Sequence, residues 1–141
     1  MNDTGPTERT DSSGAAAFSF EATGLGASLT VGDLPASVRW YTDVLGFAVE
    51  REFERDGVRF AVRLRAGSVA LLLTRDNGSR GATRAKGEGF SLRLTTAQDI
   101  DEMATRIEER GTKLESEPAD AWGVRAFRVR DPDGFLFVIS T

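Results

Sequence analysis

The chain has 141 residues, 28% of them charged, with a formal net charge of −4 and neither cysteine nor histidine. The length predicts one domain or two small halves that share a core. The missing residue types exclude a disulfide framework, a Ser-His-Asp triad, a Cys-His pair and a typical zinc site, and the acidic balance argues against a nucleic-acid partner.

The first 23 residues are expected to form a flexible tail, because they are rich in Thr, Ser, Asp, Gly and Pro. This segment lacks the basic start and apolar centre of a signal peptide. No stretch of the chain approaches the roughly 18 uninterrupted apolar residues that a membrane span requires. We therefore expect a cytoplasmic protein with no membrane partner.

A strand, a helix and three further strands are predicted in order across residues 24–75. The helix begins after Asp33, a good N-cap, and continues to about Leu45, because apolar side chains recur there at three- and four-residue steps. Asp56-Gly57 is typical of a tight hairpin turn. The predicted strands of this module are 27–31, 47–53, 58–64 and 69–73.

The same order of elements is predicted a second time across residues 89–141, after a Gly-rich, polar linker at 76–88. The second helix is expected from Asp99 to Arg110, and Gly111 is a natural stop. The strands of this half are predicted at 90–94, at Leu114, at 124–129 and at 135–139.

Sequence matches between the two halves indicate an internal repeat. Residues 28–31 match 91–94 at an offset of 63 (91 − 28), Gly46 matches Gly111 at 65, and residues 57–59 match 123–125 at 66. Small loop insertions explain this drift. The repeat predicts an α+β fold of two βαβββ modules with pseudo-twofold symmetry, forming a curved mixed sheet around a cleft.

Two segments carry a family resemblance. SLTVGDLPASVRWYTDVLGF (28–47) and WGVRAFRVRDPDGFLFVI (122–139) resemble the opening and closing parts of the vicinal oxygen chelate superfamily. That superfamily contains glyoxalases, extradiol dioxygenases and bleomycin-resistance proteins. The resemblance covers about residues 24–140 and implies paired βαβββ modules, whereas function in this fold depends on the cleft.

The resemblance also assigns the positions where metal-binding members hold their ion with His or Glu. These positions fall at Gly26 or Ser28, near Leu72, at 89–91 and at Val138. None of these side chains is a strong ligand for a divalent metal. We therefore expect no metal and no other cofactor.

A dry cleft at these positions favours a binding protein similar to the bleomycin-resistance branch. We expect a homodimer that sequesters an antibiotic or toxic metabolite, a small organic molecule with cationic or aromatic groups. The alternative is a metal-free isomerase, cyclase or lyase, although no catalytic residue can be assigned; a buried Tyr41 would favour it. A third interpretation is an interaction module whose cleft is filled by its own side chains.

Eight side chains are expected to contact the ligand. Apolar contact is assigned to Leu72, Val138, the aromatic pair at the hairpin and the indole before the last two strands, while polar groups fix the orientation. Arg93 is predicted to hold a carboxylate or phosphate, or to pair with a Glu across the sheet. The full set is Phe53, Phe60, Leu72, Ser91, Arg93, Trp122, Arg125 and Val138.

Overall fold

The computed structural model describes residues 18–79 and 85–141, so the predicted tail and linker lie partly outside the described residues. Each module has one helix and four strands, which confirms the predicted α+β class and the βαβββ repeat. The first module contains β1 (Ala27–Val31), α1 (Leu34–Asp43), β2 (Ala48–Arg55), β3 (Val58–Ala66) and β4 (Val69–Arg75). The second contains β5 (Leu92–Thr95), α2 (Ile100–Glu109), β6 (Ser116–Ala121), β7 (Val124–Arg130) and β8 (Leu136–Ser140).

The strands form two four-stranded sheets with equivalent topology. Their orders are β1-β4-β3-β2 and β5-β8-β7-β6. The first strand of each module runs parallel to the last, and the other neighbours are antiparallel. Consequently β1 and β5 are each an edge strand of their sheet. Neither helix is long and apolar enough to cross a membrane, within the part of the chain that the structure describes.

The boundaries differ from the predicted ones mainly in the second module. Leu114 is buried but precedes β6, so its apolar character reflects burial in the core rather than a place in a strand. Phe90 also lies outside its predicted strand and is half exposed. Local hydrophobicity alone does not distinguish a buried connecting segment from a short strand.

Both helices begin with the same capping contact. The Asp33 carboxylate accepts a hydrogen bond from the Ala36 N–H at 3.0 Å, and the Asp99 carboxylate accepts one from the Glu102 N–H at 3.0 Å. These bonds satisfy N–H groups that the first helical turn leaves without a partner. The predicted starts of the two helices are therefore confirmed.

One hydrophobic core joins the two modules. Each helix packs on its own sheet, yet buried side chains of both sheets and both helices belong to a single cluster. Tyr41 of α1 crosses between modules, because its ring packs edge-on against Phe137 of β8 with centroids 5.9 Å apart. Trp40 donates from Nε1 to Thr112 Oγ1 at 2.9 Å, which also links α1 to the second module.

A buried carboxylate fixes this contact between the modules. The Tyr41 hydroxyl donates to Asp131 Oδ2 at 2.7 Å, and Asp131 Oδ1 accepts from the N–H groups of Asp133 and Phe135 at 2.9 and 2.8 Å. Nearby, Asp133 Oδ1 accepts from the Gly32 N–H at 3.0 Å. The turn before β8 is therefore bonded both to α1 and to the residue that follows β1.

Burial shifts the pKa values of both Tyr41 and Asp131. Loss of water, reinforced by the negative charge of Asp131, raises the pKa of the Tyr41 phenol far above its ordinary value. Burial also raises the pKa of Asp131, although the hydrogen bonds from Tyr41 and two backbone N–H groups partly oppose that shift. The phenol therefore stays protonated in the folded protein well into the alkaline range.

The first prediction concerns stability in alkali. Because the pKa of Tyr41 is higher in the folded than in the unfolded state, its contribution is complete below roughly pH 10. Above that pH the free energy of unfolding should fall by about 1.4 kcal/mol per pH unit. The chain has one tyrosine, so phenolate absorbance reports this group alone. We expect the absorbance to rise only as the protein unfolds.

The Tyr41→Phe variant is the control for this titration. It should be less stable at neutral pH by about 2 kcal/mol, because Asp131 Oδ2 loses its partner, and it should lack the phenol-dependent alkaline slope. Ionisation of Tyr41 near pH 10 in a fully folded protein, seen by absorbance and circular dichroism together, would contradict the assignment.

Candidate functional site

The candidate site is built on the sheet faces that are turned away from the helices, which we call the open faces. In β4, Leu71 and Leu73 are buried in the core, so Leu72 between them points to the open face. Strand register places Ser28 of β1 beside Leu72, and Arg63 of β3 on its other side. These side chains form a row across the first sheet, which continues to Arg51 in β2.

The second sheet carries the equivalent row. Arg93 of β5 lies beside Val138 of β8, which pairs with Arg128 of β7, which in turn pairs with Ser116 of β6. Arg93 follows Ser28 by 65 residues (93 − 28), and Val138 follows Leu72 by 66 (138 − 72). The strand register therefore confirms the repeat but corrects the first strand, where Arg93 and not Ser91 is the equivalent of Ser28.

A groove between the two edge strands brings the rows together. It has a volume of about 390 Å³ and is lined by Ser28 of β1 and Arg93 of β5. Much of the remaining lining is apolar and includes Ala70, Leu92 and Phe90. Ser28 and Arg93 thus meet at one groove, and the register extends from them to Leu72 on one side and Val138 on the other.

Some arginines on the open faces form ion pairs with acidic side chains and others do not. Arg65 Nε lies 2.8 Å from Glu50 Oε2, and Arg130 Nε lies 3.1 Å from Glu115 Oε1. These two ion pairs occupy equivalent positions in the repeat. No acidic side chain of residues 18–79 and 85–141 forms an ion pair with Arg63 or Arg128, which lie two residues earlier on the same strands.

Of the eight predicted contact residues, Arg93 alone lines the groove among the described residues, and Leu72, Ser91 and Val138 are each adjacent in sequence to a lining residue. Leu72 is half-buried on its open face, whereas Val138 is largely covered, with 7% of its surface exposed. Arg93 lines the groove and donates from Nη1 to Ser140 Oγ at 3.1 Å, so it pairs with a hydroxyl rather than a Glu. Ser91 is exposed just before β5.

Phe53 and Phe60 form a separate cluster by the first hairpin. Their rings lie 6.4 Å apart, and the guanidinium groups of Arg51 and Arg55 each lie 4.9 Å from one ring centroid. Phe60 lines a different groove, with Thr74 and Arg75 among its neighbours there. The structure therefore places this pair together but outside the groove between β1 and β5.

Arg125 serves a structural contact. Its guanidinium binds both carboxylate oxygens of Asp101 in α2 at 2.8 Å, and Asp120 Oδ1 at 3.1 Å. The hydrogen bond from Arg125 lowers the pKa of Asp101, and the two carboxylates raise the pKa of Arg125. Arg125 is thus on the helix side of the second sheet, away from the groove.

Trp122 occupies the tip of the hairpin between β6 and β7. It has φ +55° and is followed by Gly123 with φ +81°, so both turn residues are left-handed. The side chain is 99% exposed. Asp56-Gly57 forms the equivalent turn of the first module with φ +54° and +77°. The indole is therefore available at the surface and does not line the groove.

Sequence reasoning did not single out Arg63, Arg128 or Phe90 as site residues. The internal repeat contains a signal for the first two, since Arg128 follows Arg63 by 65 residues (128 − 63). Their lack of an acidic partner is visible only in three dimensions. Phe90 lines the groove through a segment that precedes β5, where no strand alternation indicates its direction.

Paired βαβββ modules with a groove between their edge strands define a class of α+β proteins. Comparison of the sequence with known protein families identifies that class. The chain belongs to the Glyoxalase/Bleomycin resistance protein/Dioxygenase superfamily, whose sequence pattern matches residues 23–139.

Individual relatives are more distant. A virulence protein of Salmonella typhimurium is 28% identical over 117 residues, which are 79% of this chain and 78% of that protein. A superfamily member from Sphaerobacter thermophilus is 26% identical, with a TM-score of 0.64 over 85% of this chain and 97% of that one. A glyoxalase/bleomycin resistance protein from Streptomyces shares the fold at 21% identity, with a TM-score of 0.63 over 83% of this chain and all of that one (100%).

The residues at the expected metal positions do not fit a divalent metal. Register favours Ser28 over Gly26 as the first position and places its equivalent in the second module at Arg93, beyond the expected 89–91. With Leu72 and Val138, the four side chains provide one hydroxyl, one cation and two hydrocarbons. No group of three or more acidic side chains could hold a metal within the described residues. The side chains favour contact with an organic molecule instead.

Proposed function

We propose that the chain is a metal-independent binding protein for a small organic molecule with an apolar or aromatic surface. The observation that carries this proposal is a largely apolar groove in which Ser28 and Arg93 are polar lining residues and no Asp or Glu is among the described residues that line it. Hydrocarbon side chains stabilise a complex by removing apolar surface of the ligand from water. Ser28 and Arg93 supply the few polar groups that orient a ligand in such a site.

The size of the groove is consistent with this function. Its volume of about 390 Å³ falls in the range of roughly 300–1,000 Å³ that is usual for small-molecule sites. Leu25 and Phe90 both line the groove and remain exposed. These apolar side chains at the mouth of the groove provide further surface for a ligand or for a second copy of the chain.

We propose sequestration of an antibiotic or toxic metabolite as the biological role. Its support is the relationship to the superfamily that includes bleomycin resistance proteins, and the name virulence protein of the Salmonella relative. Three acidic side chains that could attract a cationic ligand are already paired with arginines, namely Glu50 with Arg65, Glu52 with Arg59 and Glu115 with Arg130. We therefore propose a ligand with an apolar or aromatic surface.

An enzyme of the same fold without metal has less support. Such an enzyme would need a proton donor or acceptor at the groove. Tyr41 is buried, which would favour the enzyme alternative, but its hydroxyl is bonded to Asp131, and neither residue lines the groove. Binding is therefore the function that the geometry supports better.

The second prediction tests the apolar site with a neutral fluorescent ligand. N-phenyl-1-naphthylamine should bind the native protein with increased fluorescence, in the presence of EDTA. Phe90→Asn should weaken binding about 10-fold, because Phe90 is a half-exposed side chain that lines the groove and the change replaces its apolar contact by an amide. Val49→Asn is the control, since Val49 is an exposed apolar residue of β2 that does not line the groove.

Two results would contradict the proposed function. One is the absence of binding to the folded protein at the solubility limit of the dye. The other is an equal loss of affinity in the two Asn variants, with both shown to be folded by circular dichroism.

We also propose that two copies of the chain associate and that the second copy covers part of the open faces. The exposed apolar residues Phe18, Phe20, Leu25 and Trp122 support such a contact. The third prediction is that sedimentation equilibrium gives twice the chain mass of 15.3 kDa. A mass of 15.3 kDa over the whole micromolar range would refute the dimer while leaving the groove unaffected.

A further inference from the structure

Two arginines on the open faces lack the acidic partners that their neighbours have. Arg65 and Arg130 are neutralised by Glu50 and Glu115, at equivalent places in both modules. Arg63 and Arg128 lie two residues earlier and, by strand alternation, on the same face as those arginines. Neither forms an ion pair within the described part of the chain.

Neighbouring positive charges make this arrangement unfavourable without an anion. In the first sheet, Arg63 stands directly opposite Arg51 in the register of β2 and β3. Like charges at such positions destabilise a sheet. In the second sheet, Arg128 and Arg93 lie on the two sides of Val138. The open faces thus carry a concentration of positive charge, although the whole chain has a net charge of −4.

Each arginine also lies beside the hydrocarbon side chain that replaces a metal ligand. Arg63 pairs with Leu72, and Arg128 pairs with Val138. Adjacent strands are about 4.8 Å apart. A guanidinium and an apolar surface are therefore placed one strand apart, a spacing that suits an acidic group attached directly to an apolar ring.

We propose that the ligand is an organic anion, whose carboxylate, sulfonate or phosphate group is bound by Arg63 or Arg128 while its apolar body extends along the same open face, past Leu72 or Val138, toward the groove. This inference rests on the proposed function and names the ligand class of the same site. A planar guanidinium presents paired donors to the two oxygens of such a group, and charge-assisted hydrogen bonds of this kind are stronger than neutral ones.

The fourth prediction compares two dyes that share an aromatic body and differ in charge. 8-Anilino-1-naphthalenesulfonate carries a sulfonate, and N-phenyl-1-naphthylamine does not. The native protein should bind the anionic dye more tightly than the neutral dye, by a factor of about 10 or more. Arg63→Gln combined with Arg128→Gln should remove about that factor for the anionic dye and leave the affinity for the neutral dye unchanged.

Arg65→Gln combined with Arg130→Gln is the matched control. It changes the net charge by the same amount on the same two strands, but it removes arginines that already have Glu partners. We expect affinity for the anionic dye to stay within about 3-fold of the wild-type value. This change is smaller than the loss expected when an arginine–anion contact is removed. An equal loss in both double variants would overturn the inference, since net charge rather than the two named side chains would then govern binding.

The two dyes also separate this inference from the proposed function. If the neutral dye binds and the anionic dye binds no more tightly, the anion inference fails and the apolar site stands. If neither dye binds, the proposed function fails as well. Displacement of the bound anionic dye by 1-naphthoate but not by inorganic phosphate would support an organic anion, whereas equal displacement by phosphate would overturn it.

Discussion

The two modules are held together by their shared core and, within it, by the buried hydrogen bond between Tyr41 and Asp131. It joins α1 of the first module to the turn before β8 of the second, and the same turn binds the residue after β1 through Asp133 and Gly32. Because β5 pairs with β8, these contacts link the edge strands β1 and β5, whose residues line the groove.

The internal repeat explains both the stability of the modules and the character of the groove. Structural contacts occur twice, as in the two Asp caps and in the Glu50–Arg65 and Glu115–Arg130 pairs. Leu72 and Val138 repeat in the same way, and both are hydrocarbon side chains at positions where the family resemblance implies a metal ligand. The two modules differ at Ser28 and Arg93, so the groove is polar in different ways on its two sides.

The fold could be predicted from the sequence largely because its signals are local. Asp33 and Asp99 mark the helix starts, and alternation of apolar residues marks β1. The site was harder to predict, because it depends on contacts between distant segments. Arg125 is an example, because it was expected to orient a ligand, whereas Asp101 in α2 binds it on the helix side. The exposed position of Trp122 likewise depends on a two-residue turn, which the neighbouring residues in the sequence do not clearly predict.

The central claim is that a groove with no metal-ligand side chains binds an organic molecule by itself. The most direct measurement is an amide NMR titration of the ¹⁵N-labelled protein with 8-anilino-1-naphthalenesulfonate in EDTA. We expect the largest shift changes at Ser28, Leu72 and Arg93, saturating together with one affinity. Saturable changes confined to the hairpin at Trp122 or to the helix surfaces, or binding that appears only after a divalent metal replaces EDTA, would contradict the account.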